Sequence, residues 1–366
     1  MTTTNMTKRI FNLGAGPAVL PEPVLETAQR DLLALPGVGM SILEISHRSK
    51  TFERIIEEAE ADIRTLAGVP DRYRVLFFQG GASLQFSMVP MNLLPADGVA
   101  DYALTGAWAK KAAEEAGKVG RVHVAATTAE EKFRRIPRQD ELELSPDAAY
   151  VHVTSNNTIF GTQWRRMPDV GGRPLVVDAS SDIFSRPIDV AAHGLIYAGA
   201  QKNLGPAGVT LVIVRDDLVA RGPVSLPAML RYAVAAEHKS LYNTPAVFAI
   251  YIVGLVAKWL LAQGGLAEME RRNQRKAAVL YAEIDRTGFY RGTADKDSRS
   301  LMNVTFRMAS EELEKLFVKE AATAGFDGLK GHRSVGGQRA SLYNAFPLEG
   351  VEALVSFMRE FERMHG

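Results

Sequence analysis

Short apolar runs recur through the first two thirds of the chain, at 74–78, 100–104, 122–126, 149–153, 175–177, 194–197 and 209–214. Several are apolar at nearly every position instead of every second one, which is how a strand reads when helices cover both faces of its sheet. Helical spacing fills the gaps between them. Phe52, Ile55, Ile56, Ala59, Ile63 and Leu66 form one stripe that Gly68 ends, and a second helix is expected over about 83–94. Strand and helix in alternation predict an α/β fold with a mainly parallel central sheet and helices on both faces.

The pattern changes after the most hydrophobic window, residues 246–262. That window is short for a membrane span and Lys258 interrupts it, so a buried helix is expected. Thr244 and Pro245 read as its N-cap and first position, and Gly264-Gly265 as its stop. A connecting helix is expected over 266–286. Met302, Val304 and Phe306 then alternate with polar neighbours as a half-exposed strand. Leu313, Leu316, Phe317, Ala321 and Ala324 form a helical stripe ending at Gly325, 339–345 reads as another strand, and Val351 to Phe361 mark a last helix. The expected division is a large domain over 17–262 and a small C-terminal α+β domain over 263–366, with 1–16 packing near the latter.

Composition narrows the chemistry. A net charge of +1 gives no reason to expect nucleic acid or an acidic membrane surface as partner. The chain has no cysteine, which removes disulfides, thiolate metal sites and cysteine nucleophiles. Its seven histidines show no i, i+4 pair and no HExxH, so no metal site is expected. Met1 to Arg9 is polar and lacks the apolar core of a secretory signal, and a cytoplasmic protein is expected.

In an open α/β sheet, ligands bind beyond the carboxyl ends of the strands. The polar and glycine-rich segments fall there. Gly80-Gly81-Ala82-Ser83, Thr105-Gly106-Ala107-Trp108, Ser155-Asn156-Asn157-Thr158, Asp178 and Gln201-Lys202 each follow an expected strand. Lys202 closes an apolar run and is hemmed in by small residues, in AGAQKNLGPAG from Ala198. Partial burial lowers a lysine pKa and frees a nucleophilic amine. Each group also has an ordinary reading. Gly80-Gly81 can be a simple turn, Trp108 a core residue, and Asp178 a cap on the turn at Ala179-Ser180-Ser181. As a set, however, they describe a phosphate cradle at a helix N-terminus, a stacking indole, a buried acid and a reactive amine. Pyridoxal 5'-phosphate asks for that set.

Longer motifs extend the pattern: NLGAGP from Asn12, Ser46-His47-Arg48, QGGASLQF from Gln79, SNNTIFGTQW from Ser155, DASSDIFSRPID from Asp178, YAGAQKNLGPAG from Tyr197, YNTP from Tyr242 and GHRSVGGQRASLYNA from Gly331. Together the chain resembles the phosphoserine aminotransferase family over nearly its whole length. The resemblance implies a fold-type I, pyridoxal-phosphate-dependent homodimer that exchanges an amino group between glutamate and 3-phosphohydroxypyruvate. Some members also act on 4-phosphohydroxy-threonine in pyridoxine biosynthesis. Carried over, it makes Lys202 the covalent attachment point and general acid/base, and Asp178 the partner of the ring nitrogen. Trp108 would stack on the ring, Thr158 would bond its hydroxyl, and Ala82, Ser83 and Gln201 would hold the phosphate, with Asn243 and Thr244 supplied by the second subunit. His47, Arg48, His332, Arg333 and Arg339 would meet the substrate anions, for which guanidinium forks are suited. Ala15 and Ser83 depart from the serine and arginine found there in some members.

Three other readings have specific counter-arguments. A nicotinamide dehydrogenase would need G-x-G-x-x-G after a strand, but Gly14-Ala15-Gly16-Pro17-Ala18-Val19 lacks the last small residue and follows no convincing strand. A cysteine desulfurase needs the cysteine this chain lacks. Another small-molecule transaminase differs in whether substrate phosphate improves turnover, and a non-enzymatic dimer would not react with glutamate.

Overall fold

The computed structural model describes residues 9–366; residues 1–8, and with them most of the polar N-terminal segment, lie outside the described residues. Seven strands form the central sheet: β1 (Tyr73–Phe78), β2 (Val99–Leu104), β3 (Arg121–Thr127), β4 (Val151–Thr154), β5 (Leu175–Asp178), β6 (Leu195–Gly199) and β7 (Thr210–Arg215). Their spatial order is β1-β7-β6-β5-β4-β2-β3. All are mutually parallel except β7, which runs antiparallel to both of its neighbours. No crossover helix separates β6 from β7, and a short return can only join antiparallel strands.

Both faces of the sheet are buried, as the unbroken apolar runs require. Val75, Phe77, Val153, Val177, Ile196 and Ile213 enter one core. The intervening Leu76, Val176, Leu195, Tyr197, Val212 and Val214 enter the other. Helix α1 (Glu22–Leu33) precedes α2 (Lys50–Ala67), which on the first face packs along a further helix, Val247–Ala262. Ser49 caps α2 by accepting from the Phe52 amide, and Gly68 ends it in the left-handed conformation, at φ 61° and ψ 41°. The two helices approach closely where small residues meet: a Cβ on Gly254 would lie 3.1 Å from that of Ala59.

The hydrophobic window is thus a core helix, but its start differs from expectation. Ala246 is the N-cap and Thr244 makes no capping bond, because the Val247 amide turns back onto the Pro245 carbonyl at 2.8 Å. Among the described residues, no single helix is long and apolar enough to cross a membrane.

A second, smaller body follows. The connecting helix Gly265–Ile284 leads to an antiparallel sheet of Arg291–Gly292, Asn303–Arg307 and Gln338–Ser341. Helices Glu311–Thr323 and Leu348–His365 complete it around a core of Phe306, Phe317, Leu354 and Phe361. The strand at 303–307 is buried on both faces, not half-exposed. Its polar side sits against the large sheet's loops: Asn156 Nδ2 donates to Asn303 Oδ1 at 2.7 Å, and Thr305 Oγ1 donates to the Phe160 carbonyl at 3.2 Å. The expected strand at 339–345 stops at Ser341, since Leu342 to Phe346 turn back to meet other partners. Near the N-terminus, Phe11–Asn12 pairs in parallel with Phe326–Asp327, and Leu13 is fully buried in the small core. The chain then crosses to the large sheet, where the Ala18 amide donates to the Gln201 carbonyl at 2.9 Å.

Candidate active site

The carboxyl ends of β1, β2, β4, β5 and β6 lie on one edge of the sheet, and the segments singled out above project from that edge. Because β7 is antiparallel, its first residue also begins there. The segment bearing Lys202 therefore joins two adjacent strands and is tied at both ends, with the Ala200 amide donating to the Val209 carbonyl at 3.0 Å.

The Lys202 amine donates to Thr158 Oγ1 at 2.9 Å and stands 5.8 Å from the centre of the Trp108 ring. Burial drives its pKa down to about 8; Asp178 and Asp182 oppose that fall while Arg339 adds to it. The amine thus lies close enough to neutrality to act as a nucleophile and base at physiological pH. Gly16 makes room for it. A Cβ there would come within 3.3 Å of Lys202 Cγ, and φ is +145°.

Asp178 ends β5 beside Tyr197 and is buried. Its pKa is raised by burial, an effect that Lys202 and Ser180 partly offset. The turn-capping role and the free-acid role prove compatible. Oδ1 accepts from the Ser180 amide at 3.0 Å and from the Ser180 hydroxyl at 2.6 Å. Among the described residues Oδ2 accepts from no protein donor, so one oxygen orients the group and the other stays available.

Gly80 takes a left-handed conformation and opens helix Gly81–Leu93 with no side-chain cap. The first amides, including those of Ala82 and Ser83, are left pointing out of the helix. Trp108 lies in the first turn of Ala107–Ala116, its buried indole N–H lacking an acceptor among the described residues. Gln201 folds back toward Gly199, where a Cβ would meet its Oε1 at 2.8 Å.

The anion-binding candidates divide into two groups. Arg339 reaches the Thr158 carbonyl at 3.4 Å, and its buried Nε has no partner. Burial, then Arg339, Arg333 and Lys111, lowers the pKa of His332, which places these three cations near its ring. His47 and Arg48 lie in the turn before α2. His47 Nε2 is buried without a partner and Arg48 is exposed; neither is hydrogen-bonded to the first group. Asn243 and Thr244 are exposed, with the Thr244 carbonyl accepting from Gln79 Nε2 at 3.1 Å. No hydrogen bond joins them to Lys202, Asp178 or Trp108 among the described residues.

Several members of the site escaped the sequence reading. Lys111 lies 4.8 Å from the centre of the Trp108 ring, and its spacing of three residues on one helix was the available signal. Ser180 was visible only as part of a turn. Asp182 is buried, with Gln163 donating to its Oδ2 at 3.0 Å, and sequence offers nothing to separate it from a surface acid.

Comparison with known proteins agrees with this geometry. The model of the aminotransferase class-V family matches residues 10–354. A phosphoserine aminotransferase of Syntrophobacter fumaroxidans is 59% identical over 363 residues, spanning 99% of this chain and 100% of the relative. The solved phosphoserine aminotransferase of Bacillus circulans subsp. alkalophilus superposes with a TM-score of 0.97 at 53% identity, covering 98% of this chain and 100% of that one. A further phosphoserine aminotransferase, solved in a study of radiation damage to its Schiff base, gives 0.96 at 48% identity over 98% and 99%. With both sequence and fold matched end to end, the chain belongs to the phosphoserine aminotransferase family of class-V aminotransferases.

Proposed function

We propose that this chain catalyses reversible transfer of an amino group between L-glutamate and 3-phosphohydroxypyruvate, with pyridoxal 5'-phosphate as cofactor, giving O-phospho-L-serine and 2-oxoglutarate. The observation that carries the reading is the Lys202 amine, brought down to about 8 and held on Thr158 beside a buried carboxylate. The residues fit the cofactor. Uncapped amides at Ala82 and Ser83 offer a phosphate seat, Trp108 a ring face, and Asp178 Oδ2 an acceptor for a protonated ring nitrogen. Gln201 and Thr158 supply further donors. When bound, the cofactor supplies the electron sink for breaking the substrate Cα–H bond.

The protein's part is positional and acid–base. With the cofactor bound, Lys202 would be the group placed to take the substrate Cα proton and to return it. Asp178 Oδ2 would face the ring nitrogen, with Ser180 fixing the carboxyl group's orientation through Oδ1. Arg339, His332 and Arg333 receive carboxylate and phosphate oxygens; His47 and Arg48 are assigned to the same task from the second group.

We further assign 17–262 to cofactor binding and 263–366 to substrate closure, with 1–16 allied to the latter. A homodimer accounts for Asn243 and Thr244. Both are exposed beside a hollow lined by Phe78, Leu84 and Pro245, where Tyr242 is 45% and Met229 49% exposed. An adjoining subunit would cover that apolar rim and bring the two residues to the other subunit's phosphate seat.

The test is a half-reaction on the purified yellow protein. Glutamate or phosphoserine should bleach the visible band, and serine should do so far more slowly. An equal response to serine would refute phosphate recognition, and a colourless protein would refute the cofactor.

A further inference from the structure

Lys276 is a second buried lysine, on helix Gly265–Ile284, and it has no part in the chemistry above. It is 3% exposed. Its three N–H donors are matched one for one by main-chain carbonyls, of Leu342 at 2.9 Å, Tyr343 at 2.8 Å and Phe346 at 3.1 Å. Among the described residues no carboxylate compensates it. The charged neighbour it feels is Arg272, which pushes the same way as burial and helps bring the pKa to about 7. A structural cation has cheaper places than this. A buried methionine of similar length would fill the space but could not gather three carbonyls.

What those carbonyls belong to gives the lysine its meaning. The segment 342–346 reaches the Lys202 neighbourhood at two points. The Asn344 amide donates to Asn203 Oδ1 at 2.9 Å, and Asn203 directly follows Lys202. The Tyr343 hydroxyl donates to the Ala15 carbonyl at 2.8 Å, and Gly16 packs against the Lys202 stem. Asn344 is fixed from both sides, donating to the Phe184 carbonyl at 2.9 Å and accepting at 2.8 Å from Asn273, one turn before Lys276.

We propose that Lys276 is a positioning residue for Lys202, acting through the Leu342–Phe346 turn and the Asn344–Asn203 bond to hold the catalytic amine in its desolvated place. This rests on the function proposed above. In Lys276→Met the turn loses its three donors, the Asn203 bond slackens and water gains access to Lys202. Water reaching the Lys202 nitrogen changes the balance between its protonated and neutral forms, so the pH midpoint of the holoenzyme's visible band should shift by about half a unit or more. The kcat should fall roughly tenfold with KM changed less than about twofold, since substrate anions are met elsewhere.

Asn203→Ala removes the oxygen that accepts from the Asn344 amide while leaving Lys276 its carbonyls, and should reproduce the shift. The double variant should be no worse than the more impaired single one, because both act on one path. An unchanged midpoint in folded Lys276→Met, or effects that multiply in the double variant, would overturn the proposal. If Lys276→Met does not fold, an unchanged midpoint in Asn203→Ala overturns it alone. A wild-type protein that has no visible band at all would instead count against the function, not against this relay.

Discussion

The Lys202 amine and the Arg339 guanidinium converge on a single residue, Thr158: the amine donates to its hydroxyl and the guanidinium to its carbonyl. Two cations, one from each body of the protein, are thereby registered against the same loop. A displacement of Arg339 would therefore be felt at the residue that holds Lys202.

Removal of that hydroxyl should be visible in the amine itself. Oγ1 accepts from Lys202, so it favours the charged form. In Thr158→Val the pKa should drop further below 8, by about one unit if the bond is of ordinary charge-assisted strength. Rates of competitive acylation of Lys202 in the apoprotein, followed by peptide mapping against pH, would report it.

Asp178→Asn tests the charge separately from the shape. The amide oxygen can still accept from Ser180, so thermal stability should barely change. Turnover should fall at least about a hundredfold, in line with the loss of a positioned acid–base partner. Single-turnover kinetics together with a melting curve would separate the two.

Gly16→Ala forces a side chain into a positive-φ position 3.3 Å from Lys202 Cγ. Backbone strain of about 1–3 kcal/mol is expected, with kcat reduced more than the affinity for substrate. Steady-state kinetics beside a denaturant titration give the check.

Arg339→Gln should raise KM for the phosphorylated substrate about ten- to a hundredfold, the worth of a charged hydrogen bond to an anion. A variant whose KM is unchanged would remove Arg339 from the substrate site.

Buried lysines also set a pH signature for the apoprotein. Both Lys202 and Lys276 have pKa values lowered in the fold, to about 8 and about 7, from 10.5. Between those values and 10.5 the unfolded chain binds more protons than the folded one, so stability should rise with pH across that window. Below it, the full penalty for two charged buried amines is present. The urea midpoint should therefore be higher at pH 9 than at pH 7, provided the cofactor is absent.

Sequence reading reached the sheet, the edge where the polar loops gather and the enclosure of Lys202 because each leaves a local mark. Covered strands are apolar throughout, Gly68 ends α2, and small residues crowd Lys202. The antiparallel direction of β7 also has a local mark, the missing helix between Gly199 and Thr210. What stayed hidden depends on partners distant in sequence. Asn303 and Thr305 look solvent-facing until Asn156 and Phe160 are seen to cover them. Lys276 reads as an ordinary helix cation, and only the turn at 342–346, some seventy residues on, makes it something else. Thr244 failed as a cap because Pro245 and Ala246 extend the entry to the helix by two residues.

The crossing of the N-terminal segment sets a limit on how far the two bodies can part. Leu13 is bonded into the small sheet through Asp327 and Ser341, and Ala18 is bonded to Gln201 in the large one. Five residue steps at full extension span roughly 17 Å. The segment is thus a leash of fixed reach, and because it ends beside Lys202, any swing that draws it taut pulls on the backbone next to the amine.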